Sequence, residues 1–136
     1  MAYTLEFQEL YQYDDVPAGI LVPIALRVGE QAVKLAAKLD TGAQYCVFQR
    51  QYGEQLGLRI EEGDPRSMVG PTGDPFKTFG HEVALEVLGY QVLSTAYFAE
   101  DHNFPRNVLG RNGWLNRFRV ALIDYDRHLY LSAYDH

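Results

Sequence analysis

The 136-residue sequence is poor in the residues on which several protein classes depend. It has one cysteine, Cys46, so we expect neither a Cys-x-x-Cys metal site nor a disulfide-built scaffold, unless Cys46 pairs between chains. Its 12 basic residues are outnumbered by 18 acidic ones. The net charge of −6 argues against a nucleic-acid partner, because nucleic-acid binders usually carry a positive field.

Long apolar runs and clusters of metal ligands are missing as well. No stretch approaches the roughly 18–20 apolar residues that cross a bilayer, and residues 1–10 lack the basic segment of a secretory signal. We therefore expect a soluble, cytoplasmic protein with no membrane partner. The four histidines, at positions 81, 102, 128 and 136, are dispersed, so we predict no metal and no other cofactor.

Apolar and aromatic residues, by contrast, are plentiful, at 47% and 13% of the chain. A chain of this length buries roughly 65–70% of its unfolded surface, which is enough for one core. The charged fraction of 22%, with ten Tyr and seven Phe, argues against general disorder. We predict one domain, residues 17–136, preceded by an N-terminal extension, residues 1–16.

Alternation with a period of two dominates the sequence and indicates β-strands. Apolar residues alternate from Ile20 to Val28 and from Val33 to Leu39, on either side of a turn. A second hairpin is predicted at 83–98, and two more strands within 119–133. Pro23 predicts a sheet edge or a bulge in the first strand.

Helical patterns are short by comparison. Residues 49–56 and 112–118 are the candidates, with Asn112 as a candidate N-cap. The sequence therefore predicts an all-β protein with one or two short helices.

The two predicted hairpins resemble each other. Ile24–Gln31 aligns with Val83–Gln91 when one residue is inserted. Either any two amphipathic hairpins with a glycine turn look alike, or the chain holds an internal duplication whose halves pack about a local twofold axis.

Leu39-Asp40-Thr41-Gly42-Ala43 is the most informative stretch of the sequence. An apolar strand delivers an aspartate into a turn, followed by a hydroxyl residue and a glycine. One interpretation is an ordinary turn, since Asp, Thr and Gly are all common in turns. A second apolar run, Asn107–Arg111, contains a glycine just before a short helical segment in the other proposed half.

Together these elements resemble the retropepsin-like aspartic proteases. The resemblance rests on Leu39–Ala43, on Val108-Leu109-Gly110 followed by Arg111, and on a glycine-rich hairpin between them, and it extends from about Ile20 to Tyr130. It implies a closed six-stranded-type retropepsin β-barrel, with residues 17–136 as the protease domain. It also implies an aspartic endopeptidase that hydrolyses peptide or protein substrates.

The chemistry of that family needs two carboxylates. Two aspartates that share one proton can activate a water and protonate the carbonyl oxygen, because adjacent like charges do not both ionise. Only Asp40 is followed by Thr-Gly here, so the resemblance implies a homodimer with a catalytic Asp40 from each subunit. It assigns Thr41, Gly42 and Ala43 to support of the site, with Thr41 gripping the neighbouring loop across the dimer axis. The C-terminal segment His128–Ser132 is either part of the dimer interface or an ordinary core strand.

A mobile flap over the substrate is implied near residues 67–76. Its expected substrate-binding residues are Val69, Gly70, Pro71, Thr72 and Gly73. The plain alternative is an ordinary β-hairpin turn. The substrate itself is expected to bind as an extended strand.

Several residues depart from the family pattern. Cys46 stands where the family usually has Ser or Thr, Gln44 replaces an acidic partner of Arg111, and Pro71 removes a backbone donor from the flap. These departures motivate a second hypothesis, a dimerisation or peptide-binding module with weak or no hydrolysis. A third is a monomeric β-barrel scaffold in which residues 40–42 are only a turn.

Overall fold

The computed structural model describes residues 1–135. Within them, ten strands, one α-helix and three short 3₁₀ segments form two sheets, so the predicted all-β class is confirmed. His136, the last residue of the predicted domain and one of the four histidines, lies outside the described residues.

The bounds of the elements follow the chain in order. The strands are β1 (Glu9–Gln12), β2 (Leu21–Val28), β3 (Gln31–Leu39), β4 (Val47–Phe48), β5 (Asp64–Val69), β6 (Pro75–Val87), β7 (Tyr90–Ala99), β8 (Val108–Leu109), β9 (Phe118–Ile123) and β10 (His128–Ala133). The helix α1 spans Arg50–Gln55, within the predicted 49–56. The 3₁₀ segments are Ile60–Glu62, Leu115–Arg117 and Asp124–Asp126.

The larger sheet has the strand order β2-β3-β8-β4-β7-β6-β5, and it closes on itself because β2 also pairs with β6. Six strands therefore form a ring, and β5 lies outside it on β6. Both predicted hairpins, β2–β3 and β6–β7, are confirmed as antiparallel pairs. The ladder between β2 and β6 begins at Ile24, so the imide of Pro23 lies at a free edge, as its missing N–H requires. The retropepsin barrel itself stays a prediction.

The ring has an internal twofold pattern. β2 pairs antiparallel with β6, while β3 pairs parallel with β8 and β7 pairs parallel with β4. Exchanging β2, β3 and β4 with β6, β7 and β8 maps the β2–β6 pairing onto itself and the β3–β8 pairing onto the β7–β4 pairing. The pattern favours two similar half-units about a local axis over a chance likeness of hairpins.

The main core takes side chains from the ring and also from β9 and β10, with Phe118, Leu129 and Leu131 among them. Alternate residues of β2, namely Val22, Ile24 and Leu26, are buried, as their period-two spacing predicts. The largest fully buried side chains are Trp114, Phe48 and Phe98. A fully buried apolar side chain contributes about 1.5–3 kcal/mol of transfer free energy, so this core stabilises the strands whose ends carry the loops.

The second sheet has the order β1-β10-β9 and joins the two ends of the chain. Within the predicted N-terminal extension, β1 pairs with β10, and the buried Tyr13 donates its hydroxyl proton to the Asp124 carboxylate. Residues 9–13 are thus firmly attached. β10 is hydrogen-bonded on both edges and buries Leu129 and Leu131, so it is a core strand with no free edge for a partner's strand.

The predicted N-cap at Asn112 is wrong. The 3₁₀ segment Leu115–Arg117 has Trp114 at its N-cap and no capping side chain. Gly113 has a φ of +104°, so the backbone leaves the helical path between Asn112 and the segment. The Asn112 side-chain oxygen instead accepts a hydrogen bond from the Asn116 amide at 3.3 Å.

Within residues 1–135, the helices are too short and too polar to span a membrane. The cytoplasmic location stays a prediction.

Candidate active site

Asp40 stands where β3 leaves the ring. The last β3 residue, Leu39, pairs with Leu109 of the parallel strand β8, and the Asp40 N–H donates to the Leu109 carbonyl at 3.0 Å. The side chain that follows the buried strand end is therefore held at the rim of the ring, where it is half-buried.

The turn after Asp40 orients its carboxylate. The Gly42 N–H donates to Oδ1 of Asp40 at 2.9 Å, and the Ala43 N–H donates to the Asp40 carbonyl at 3.2 Å. A hydrogen bond from a backbone N–H to an ionised carboxylate is stronger than one between neutral groups, so the carboxylate is fixed in direction. Thr41, at the tip, is exposed.

The second predicted element, Val108–Arg111, packs directly on this turn. The Arg111 N–H donates to the Ala43 carbonyl at 2.9 Å, and the Asn112 N–H donates to the Gln44 carbonyl at 2.8 Å. A Cβ on Gly110 would lie 2.2 Å from the Tyr45 carbonyl oxygen. Only glycine allows this approach, which explains the apolar-apolar-glycine spacing.

The buried Cys46 connects the two elements by hydrogen bonds. Its side chain is 1% exposed; Sγ accepts from the Gly110 N–H at 3.4 Å and donates to the Asn112 carbonyl at 3.8 Å. Burial raises the pKa of the thiol to about 11, so it stays protonated and able to donate. The thiol thus makes two hydrogen bonds at a position where the resemblance to the family had put a supporting hydrogen bond in doubt.

The predicted flap is a β-hairpin between β5 and β6. Its turn is closed by the Gly70 N–H donating to the Asp74 carbonyl at 3.0 Å and the Gly73 N–H donating to the Gly70 carbonyl at 3.0 Å. Gly73 has a φ of +86°, a conformation that other residues rarely adopt. Neither bond needs an N–H at Pro71, so the proline does not disrupt the turn.

The turn and the hairpin share one cavity of about 550 Å³. Of the predicted site residues, those that line it are Asp40, Gly42, Ala43, Val69, Gly70, Pro71 and Val108. Thr41, Thr72, Gly73, Leu109, Gly110 and Arg111 do not line it. The structure therefore brings the aspartate and the hairpin together, and it places the other predicted residues behind or beside the cavity.

Two charged residues of the cavity were not predicted from the sequence. Arg66 on β5 donates from Nε to the Tyr97 hydroxyl at 3.2 Å, and its guanidinium lies 4.5 Å from the centre of the Tyr45 ring. This hydrogen bond raises the pKa of Arg66. Arg106 lies 5.2 Å from the centre of the Phe104 ring. Arg66 lies two residues before Met68, so strand alternation would have placed both side chains on one face of the flap. No pattern in the sequence pointed to Arg106.

Charges around the site are few. Asp40 is the one acidic residue among the cavity-lining residues of the described chain. Arg111 is exposed and forms no ion pair within residues 1–135, and Gln44 is exposed beside it. No group of three His, Cys, Asp or Glu side chains in that part of the chain could hold a metal ion.

Comparison of the sequence with models of protein families finds no match, and comparison with curated proteins finds none either.

Proposed function

We propose that the chain is a homodimeric aspartic endopeptidase of the retropepsin type. The observation that carries the proposal is the position of Asp40, whose carboxylate is held by the Gly42 N–H at the wall of a cavity roofed by a hairpin. The six-stranded ring and its twofold pattern of pairing support the barrel that this family implies.

A single chain supplies half of the required chemistry. Peptide hydrolysis by this route needs two carboxylates, and one acidic side chain lines the cavity in the described residues. The second carboxylate is Asp40 of the partner subunit, brought close by a twofold axis. Thr41 beside it is exposed, so its side chain is accessible to the opposite loop of a partner subunit.

The two carboxylates share one proton in this proposal. The ionised one takes a proton from a water molecule, while the protonated one donates to the carbonyl oxygen of the scissile bond. The apparent pKa values then belong to the pair, and hydrolysis is expected to be fastest on the acid side of neutrality.

The hairpin of β5 and β6 closes over the substrate. Val69, at the end of β5, is 71% exposed, so the hairpin tip is poorly packed within one chain and is suited to move. A peptide bound as an extended strand beneath it would be shielded from water and held by backbone hydrogen bonds.

A digest of a peptide library over a wide pH range tests this function. We expect cleavage that is strongest below neutrality and is blocked by a statine-type inhibitor, together with sedimentation as a dimer. Cleavage insensitive to that inhibitor, or a stable monomer that cleaves nothing, would contradict the proposal.

The alternative, a peptide-binding module with weak or no hydrolysis, is favoured by one observation. Arg111 has no acidic partner within residues 1–135, and the adjacent Gln44 cannot supply a charge. A dimer lacking this ion pair could hold its two carboxylates too loosely for catalysis. Binding of peptides by a dimer without turnover at any pH would establish the module.

A further inference from the structure

The cavity beside Asp40 is positively charged within an acidic protein. The charged residues that line it are Arg66, Arg106 and Asp40, whereas the whole chain carries a net charge of −6. Local charge of the opposite sign to the whole molecule marks a surface suited to an oppositely charged ligand.

The two arginines enter the cavity from different elements. Arg66 belongs to β5, the first strand of the hairpin, and Arg106 precedes β8. A Cβ on Gly70 would lie 3.6 Å from Nη2 of Arg106, so this guanidinium lies against the hairpin turn. Both groups therefore face the space that the proposed flap covers.

Neither arginine forms an ion pair in the described chain, although the Asp64 carboxylate acts on Arg66 from a greater distance. No carboxylate within residues 1–135 lies within ion-pair distance of either one. Their contacts are with aromatic rings instead: Arg66 lies over Tyr45 and Tyr97, and Arg106 lies over Phe104. Ring stacking fixes a guanidinium in place and leaves N–H donors for a carboxylate, a role that lysine fills poorly.

Apolar side chains also line the cavity, among the polar Gln44, Tyr45 and Ser67. Val47, Met68, Phe76 and Phe104 all line it, and Phe76 stacks on Phe104 with ring centres 5.0 Å apart. A side chain beside the anionic one would therefore meet an apolar surface.

We propose that the site selects peptides that carry an acidic side chain, Asp or Glu, which Arg66 and Arg106 bind beside an apolar neighbour. This inference rests on the proposed function, because it assigns the substrate of the same cavity. Arg66 on the hairpin and Arg106 before β8 would both donate hydrogen bonds to the carboxylate as the hairpin closes.

The test uses peptide pairs that differ only by Glu against Gln at each position around the cleaved bond. We expect the Glu peptide to be favoured by at least about tenfold in kcat/KM at one position, and the preference to shrink as salt rises. In Arg106→Gln the preference is expected to fall to within about twofold, and Arg106→Lys should restore part of it. Arg66→Gln should act similarly.

Arg27→Gln is the matched control. It removes one positive charge from β2, where Arg27 pairs with Glu86 and does not line the cavity, so the preference should be unchanged. Equal handling of Glu and Gln peptides by the wild type at every position would overturn the inference.

Binding of the same pairs distinguishes failure of the inference from failure of the proposed function. If no peptide is cleaved but Glu peptides bind at least about tenfold more tightly in an Arg106-dependent way, the acidic preference stands and the endopeptidase does not. If peptides are cleaved with no preference, the endopeptidase stands and the preference is refuted. If neither cleavage nor preferential binding occurs, both are refuted.

Discussion

Two turns of this molecule make the same hydrogen bonds in different surroundings. Oδ1 of Asp40 accepts from the Gly42 N–H and Oδ1 of Asp101 accepts from the Asn103 N–H, each at 2.9 Å. The carbonyl of each aspartate also accepts from the N–H three residues later, at 3.2 Å. Asp40 faces the cavity, whereas Asp101 is exposed and does not line it. A local turn therefore does not decide whether an aspartate lines the cavity.

The loops opposite these turns show where the two halves differ. At the Asp40 end, the Arg111 N–H reaches the Ala43 carbonyl directly, because Gly110 lets the backbones approach. At the Asp101 end, the Gln49 side chain spans the distance and donates from Nε2 to the Phe104 carbonyl at 3.1 Å. The Asp40 end is thus closed by backbone contacts, which hold a carboxylate more rigidly than a flexible side chain does.

The supporting side chains differ in the same way. The N–H of Gly110 donates to Cys46 Sγ, and the N–H of Gln49 donates to Asn107 Oδ1 at 2.9 Å. The two halves therefore follow one hydrogen-bonding plan with different side chains. The difference that matters for function is expected to lie in the cavity and in Gly110.

Substitution of the two aspartates should give the largest difference in activity between the two turns. Asp40→Asn is expected to lower kcat/KM by roughly 10³-fold or more, because an amide cannot share the proton, while the fold is kept. Asp101→Asn should leave kcat/KM unchanged. Peptide cleavage measured on both variants checks this, with circular dichroism confirming the fold. An equal loss of kcat/KM in both variants would show that the two aspartates do not differ in function.

The opposing loops should differ in stability. Gly110→Ala is expected to cost about 3 kcal/mol or more in the free energy of unfolding, because a Cβ would lie 2.2 Å from the Tyr45 carbonyl oxygen. Gln49→Ala loses side-chain hydrogen bonds only and should cost about 1–2 kcal/mol. Urea unfolding measures both. A Gly110→Ala variant as stable as the wild type would show that the backbones at the Asp40 end are not held in close approach.

High pH should weaken the contact between Cys46 and Gly110 and leave the contact between Asn107 and Gln49 unchanged. Of the two supporting side chains, only the Cys46 thiol titrates. Burial raises the pKa of Cys46 to about 11, so its contribution to stability is complete below about pH 9 and is lost as the pH rises towards 11. The loss should reach about 2 kcal/mol at pH 11. Unfolding of the wild type and of Cys46→Ser across pH 8–11 isolates this contribution, since the tyrosines titrate in both. If the free energy of unfolding falls equally with pH in both proteins, the thiol is not desolvated.

The period-two patterns predicted the framework of the fold because local alternation reflects which face is buried. Both hairpins and the strands around residue 125 are confirmed, and so is the short helix within 49–56. β1 was not predicted, because its residues Glu9–Gln12 alternate weakly and pair with a strand more than a hundred residues away. Pairing over such a distance leaves no local signal.

The candidate site could be predicted only in its local parts. Asp-Thr-Gly at 40–42 and Gly110 were identifiable because a turn and a close approach each need particular residue types. Asp101 forms the same turn without that motif, so its likeness to Asp40 was invisible in the sequence. Arg106 was missed because the path of the chain before β8, not any spacing, brings it to the hairpin.

The measurement that tests the central claim most directly is the activity of mixed dimers. Wild-type chain is mixed with an equal amount of Asp40→Asn chain, and the subunits are allowed to exchange. If the active site is shared, about a quarter of the dimers hold two aspartates, and cleavage per wild-type chain falls to about half. The same mixture with Asp101→Asn should lose nothing. Unchanged activity per wild-type chain in the Asp40→Asn mixture, with exchange verified, would contradict the account.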